Sequence, residues 1–73
     1  MKINLSSIES VNKFYKIVYD FPVEADLISG RYVVNAKSIM GIFSLDLSKP
    51  INIVFHGNIS ENDYEKIKEF IVE

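Results

Sequence analysis

The apolar residues of this chain change period along its length, and those changes restrict its fold more than any other feature. In residues 1–5, Ile3 and Leu5 alternate with Lys2 and Asn4, the pattern of a short half-buried strand. From Ile8 the spacing becomes helical: Val11, Phe14, Tyr15 and Val18 follow at steps of three or four, giving an amphipathic helix to about Asp20. Pro22 stops it, because proline has no amide hydrogen and restrains the residue before it. Val23, Ala25 and Leu27 then alternate with Glu24 and Asp26, Ser29-Gly30 marks a turn, and residues 31–36 are rich in β-formers. These two runs read as a hairpin whose turn type Ser-Gly alone leaves open.

The second half repeats the alternation between periods. Ser38 is a good helix N-cap ahead of a short crowded apolar run, Ile39, Met40, Ile42, Phe43 and Leu45. Residues 46–50 form a loop, and Ile51, Ile53 and Phe55 alternate with Asn52, Val54 and His56 as a fourth strand. Gly57-Asn58 turns the chain. Ser60 and Asp63 then cap a last helix carrying Tyr64, Ile67, Phe70 and Ile71 on one side. At the first helix, Ser6 and Glu9 have the S-x-x-E spacing of a capping box. The order is β-α-β-β-α-β-α. An α+β fold, with one antiparallel sheet and all helices on a single face, buries each apolar stripe once.

Composition narrows the setting. A chain of 73 residues is one domain, 1–73, and buries only about 60% of its unfolded surface. Its 48% hydrophobic content supports one core. No cysteine is present, which removes disulfides and thiolate zinc sites and points to a reducing cytoplasm. The first residues lack the basic and apolar regions of a signal peptide, and no apolar run approaches the roughly 20 residues that span a bilayer. With a net charge of −2 and its basic residues scattered, the chain is not expected to bind nucleic acid.

The run Asn35-Ala36-Lys37-Ser38-Ile39-Met40-Gly41-Ile42-Phe43-Ser44-Leu45 closely resembles the regulatory-serine segment of the HPr family. These are the histidine-containing phosphocarriers of the bacterial sugar phosphotransferase system, and Gram-positive members typically read N-x-K-S-I-M-G-V-M-S-L there. The resemblance extends more loosely over residues 1–73. It implies the HPr-like open-faced β-sandwich, a four-stranded antiparallel sheet with three helices on one face, in a cytoplasmic bacterial protein. In that family the first helix opens with G-[IL]-H-A-R-P, whose histidine takes phosphate from enzyme I while the arginine helps hold it. Here the stretch is Leu5-Ser6-Ser7-Ile8-Glu9-Ser10, and counting back from Ser38 sets Ser7 at the histidine and Glu9 at the arginine. A serine phosphate ester is far more stable than a phosphoimidazole, and Glu9 repels phosphate where a cation attracts it. The resemblance therefore implies a non-catalytic module with a degenerate acceptor position. It also departs at Asp46, where the family has glycine; aspartate tolerates a left-handed backbone better than most residues.

The candidate sites follow from that match. Ser38 resembles the serine modified by HPr kinase/phosphorylase, and a phosphate at a helix N-terminus meets free amides and the positive dipole end; the plainer role is capping. Lys37, Ile39, Met40 and Phe43 take the positions that, in the family, dock enzyme I, permease domains or a catabolite-control transcription factor. Five apolar residues on so short a helix cannot all reach one sheet, so an exposed patch is expected, with Ile42 and Leu45 inward. His56, the single histidine, falls on the solvent face of its strand, and no second histidine exists to share a metal. No cofactor, metal or enzymatic activity is expected, and the chain is expected to be a monomer. Two alternatives stay open: phosphotransfer through Ser7 or His56, and reuse of the fold for self-association through Phe43.

Overall fold

A computed structural model describes residues 1–72. The elements are β1 (Lys2–Ile3), α1 (Ile8–Tyr19), β2 (Glu24–Ser29), β3 (Tyr32–Asn35), α2 (Ile39–Phe43), β4 (Ile51–His56) and α3 (Glu61–Ile67). A 3-10 turn at Lys68–Phe70 extends α3. The sheet is antiparallel throughout, in the order β1-β4-β2-β3. This is the expected α+β open-faced sandwich: the sheet carries its helices on one face and leaves the other to solvent.

Register decides which side chains meet the helices. Ala25 opposes Phe55 and Leu27 opposes Ile53 across β2 and β4, while Leu27 also opposes Val34 of β3. Ala25, Leu27, Ile51 and Ile53 are buried, whereas their sequence neighbours Glu24, Asp26, Asn52 and Val54 lie on the open face. Period two thus sorts each strand into a core row and a solvent row. From the helices, Val11, Phe14 and Val18 of α1, Ile42 of α2, and Ile67 and Phe70 at the C-terminus close the core. Phe14 and Phe70 meet edge to face at 5.5 Å. No buried side-chain polar atom lacks a partner among the described residues.

Local chemistry fixes the corners. The hairpin turns on Gly30-Arg31, with a positive φ of 60° at Gly30 only, the two-residue type II′ pattern that settles the open turn type. Gly57 has φ 141°, and a Cβ there would stand 2.8 Å from Val23 Cγ1. Asp46 does not use a left-handed backbone, contrary to expectation. Its Oδ1 instead accepts from the Ser48 hydroxyl and amide at 2.6 and 3.1 Å, closing a local turn.

Three expectations are corrected by the packing. The N-cap of α1 is Ser7, not Ser6, and its capping-box partner is Ser10 rather than Glu9. The shift makes Ile8 the first helical residue, and it is 70% exposed instead of lining the core. The last helix ends at Ile67, so Ile71 leaves the helical stripe and bridges to Ile3 as a strand-like residue.

Candidate functional site

The two N-termini that the sequence singles out are built differently. At α1, the Ser7 hydroxyl accepts from the Ser10 amide at 3.0 Å, and the Ser10 hydroxyl accepts from the Ser7 amide at 3.0 Å. Ser10 Oγ also donates to the Ser7 carbonyl at 2.8 Å. The start of α1 is thus a closed capping box, with Glu9 exposed in the first turn beside it. A carboxylate there complements the helix dipole and opposes an incoming anion. The chain's arginine, Arg31, lies at the tip of the β2–β3 hairpin.

At α2 the cap is simpler. The Ser38 hydroxyl accepts one bond, from the Gly41 amide at 3.2 Å, and Ser38 is exposed. No acidic residue stands in this first turn. Glycine at 41 makes the arrangement possible, since a Cβ there would lie 3.1 Å from Val34 Cβ and 3.2 Å from Ser38 Oγ. The helix can therefore lie close on β3 while the serine hydroxyl faces outward.

Beyond Ser38, the short helix divides as its length requires. Ile42 and Leu45 are buried, and Ile39 is half-buried against the core. Met40 is 79% exposed and Phe43 41% exposed. Ile8 adds a third exposed apolar side chain on α1, which packs against α2. Sequence reasoning missed Ile8 because it set the cap one residue early; the signal available was Ser10, which can serve a cap at Ser7.

The Lys37 ammonium donates to the Phe21 carbonyl at 2.8 Å and pairs with Glu24 at 3.2 Å, leaving the side chain only 20% exposed. These contacts help to hold the loop after β3. The Asn35 side-chain amide donates to Glu24 at 3.2 Å, and this bond, then Lys37, holds the Glu24 carboxyl below the usual glutamate range. The Ser48 bonds hold Asp46 below the usual aspartate range in the same way.

His56 sits on the open sheet face, with its Nε2 at 2.7 Å from Asp26 Oδ2. The helices and their N-termini cover the other face. His56 therefore shares no site with Ser7 or Ser38: the two serines cap helices on the packed layer, and His56 lies across the sheet. Among the described residues, no group of three or more His, Cys, Asp and Glu side chains is placed to hold a metal, and no helix is long and apolar enough to cross a membrane.

Neither a protein-family model nor a curated protein matches the sequence. Two solved structures do match by shape. HPr-C-His from Thermoanaerobacter tengcongensis aligns with a TM-score of 0.75 at 23% identity, covering 94% of this chain and 83% of that one. Crh, the catabolite repression containing protein of Bacillus subtilis, aligns with a TM-score of 0.66 at 23% identity, covering 100% of this chain and 90% of its own. Its crystal structure is described as an unexpected swapped-domain, intertwined dimer. At such identity the shared architecture is what these matches establish, and it agrees with the strand order and helix placement derived above: the chain has the HPr fold.

Proposed function

We propose that this chain is a divergent HPr-family protein that binds partners and is switched at Ser38, and does not relay phosphate through a histidine. The observation that carries the reading is the contrast at the two serine caps. The acceptor position is a closed Ser7–Ser10 box beside Glu9, while Ser38 is exposed next to Met40 and Phe43. Phosphate on Ser38 would add about two negative charges at the rim of an apolar patch, near α2 amides and away from any first-turn carboxylate. That is enough to change which surface docks there.

The partners this reading fits are cytoplasmic proteins of the phosphotransferase or catabolite-control type, with HPr kinase/phosphorylase acting on Ser38. Crh is named for catabolite repression, which favours a regulatory over a sugar-transport role. Ile39, Met40 and Phe43 form the docking surface, and Ile8 extends it. Lys37 contributes through the fold, by holding Glu24 and the Phe21 carbonyl.

Incubation with an HPr kinase and ATP, followed by intact-mass analysis, tests the switch. The expected result is one phosphate on the wild type and none on Ser38→Ala. An unmodified wild type beside a fully modified authentic HPr would remove the switch from the account.

A further inference from the structure

The two edges of the sheet are finished differently. On the β1 side the C-terminal residues close the edge: Ile71 bridges Ile3, Val72 N–H donates to the Lys2 carbonyl at 2.9 Å, and Asn4 N–H donates to the Phe70 carbonyl at 2.8 Å. On the other side, β3 has one strand neighbour, β2, and no further strand pairs with it among the described residues. Its sequence, Tyr32-Val33-Val34-Asn35, carries none of the proline, bulge or charge by which edge strands usually resist pairing. Tyr32 is 69% and Val33 59% exposed.

Hydrogen-bond phase identifies what β3 offers. Ala36 N–H donates to the Ala25 carbonyl at 2.8 Å, so the Leu27–Val34 and Ser29–Tyr32 pairs are in the same bonding phase. The main-chain groups of Val33 and Asn35 therefore point away from β2. The Asn35 carbonyl accepts from the Ser38 amide at 3.0 Å, which leaves both groups of Val33 and the Asn35 amide directed outward.

Charge selects the occupant. Arg31 begins this edge and makes no ion pair among the described residues. At the far end, Asn35 lies opposite Asp26 and holds Glu24 at 3.2 Å. In an antiparallel pair of identical edges the start of one strand meets the end of the other. With Val33 opposite Val33 across a two-fold axis, the Val33 groups bond reciprocally. Arg31 of each copy then reaches Asn35 of the other, with Asp26 and Glu24 behind it.

We propose that two copies of this chain associate through β3, forming one continuous eight-stranded sheet. This goes beyond the docking reading, does not rest on it, and uses a different surface from Met40 and Phe43. So short an edge buries far less than a standard interface, so the dissociation constant is expected on the order of 100 µM or weaker. The monomer expected from sequence is then the dilute form.

Sedimentation equilibrium of the full chain from about 10 µM to about 1 mM tests it, since that range brackets a contact this small. The expected result is a monomer–dimer equilibrium that weakens at least tenfold in Val33→Pro and Arg31→Glu, weakens with added salt, and is unchanged in Phe43→Glu. Position 33 directs its amide outward, so proline there spares the β2 ladder. Should circular dichroism show Val33→Pro unfolded, Val33→Lys replaces it with the same expectation. A monomer throughout the range, or a dimer that survives at position 33 and is lost in Phe43→Glu, overturns the proposal.

Discussion

The starts of α1 and α2 are both capped by serine, yet they are suited to opposite tasks. At α1 the cap is reciprocal, an acid stands in the first turn, and the helix behind it is anchored by fully buried Val11, Phe14 and Val18. At α2 the cap is a single 3.2 Å bond, no acid is present, and Met40 and Phe43 face solvent. The first place is closed by its own cap bonds, with a carboxylate in its first turn. The second place keeps an exposed serine, tied by one cap bond, beside an unspent apolar surface. Identical residue types therefore do different work according to what surrounds them.

The largest test of this contrast is in anchoring. Phe14→Ala should cost about 3–5 kcal/mol, because it removes a fully buried ring that meets Phe70. A domain of this size has total stability on the order of 5–10 kcal/mol, so urea unfolding should show a large loss. Next in size, Ser7→Ala should cost about 1 kcal/mol, as it removes the hydroxyl that accepts from the Ser10 amide and leaves only the Ser10 bonds to the Ser7 backbone.

The α2 side should respond far less. Ser38→Asp keeps a good N-cap acceptor and should change stability by less than about 0.5 kcal/mol. The same variant should alter binding to any partner that docks on Met40 and Phe43. Met40→Ala should likewise stay within about 0.5 kcal/mol in the unfolding curve, since the side chain is mostly exposed. A large loss in either variant would mean that α2 is a core element and not a presented surface.

The smallest effect concerns pH. Glu24 has a folded pKa below its unfolded value, so its contribution is complete above the ordinary glutamate range. It is lost as pH falls through the lowered folded value, because the unfolded chain takes up the proton first. Thermal unfolding of Glu24→Gln should therefore lie below wild type at neutral pH, and the two should converge in acid.

Much of this was legible in the sequence, for physical reasons. Alternation in residues 23–29 and 51–56, and helical spacing at Val11, Phe14 and Val18, determined the faces because burial depends on periodicity. Ser38 as a cap, Ile42 and Leu45 as inward residues, and His56 on the open face follow from the same rule. Cap position at α1 was only half legible, since Ser6 with Glu9 and Ser7 with Ser10 each offer a box and only backbone geometry chooses between them. The contacts of Lys37 were not legible because Glu24 and the Phe21 carbonyl are distant in sequence and meet it only after the sheet forms. The α3 stripe broke at Ile71 for a similar reason: pairing with Ile3 competes with one more helical turn.

One measurement bears on all of this most directly: phosphorus NMR of the chain after exposure to phosphorylated enzyme I, with an authentic HPr in parallel. The account predicts a phosphohistidine resonance from the HPr control and none from this protein, because Ser7 is tied into its cap and His56 lies on the far side of the sheet. A phosphohistidine resonance from His56 would contradict it.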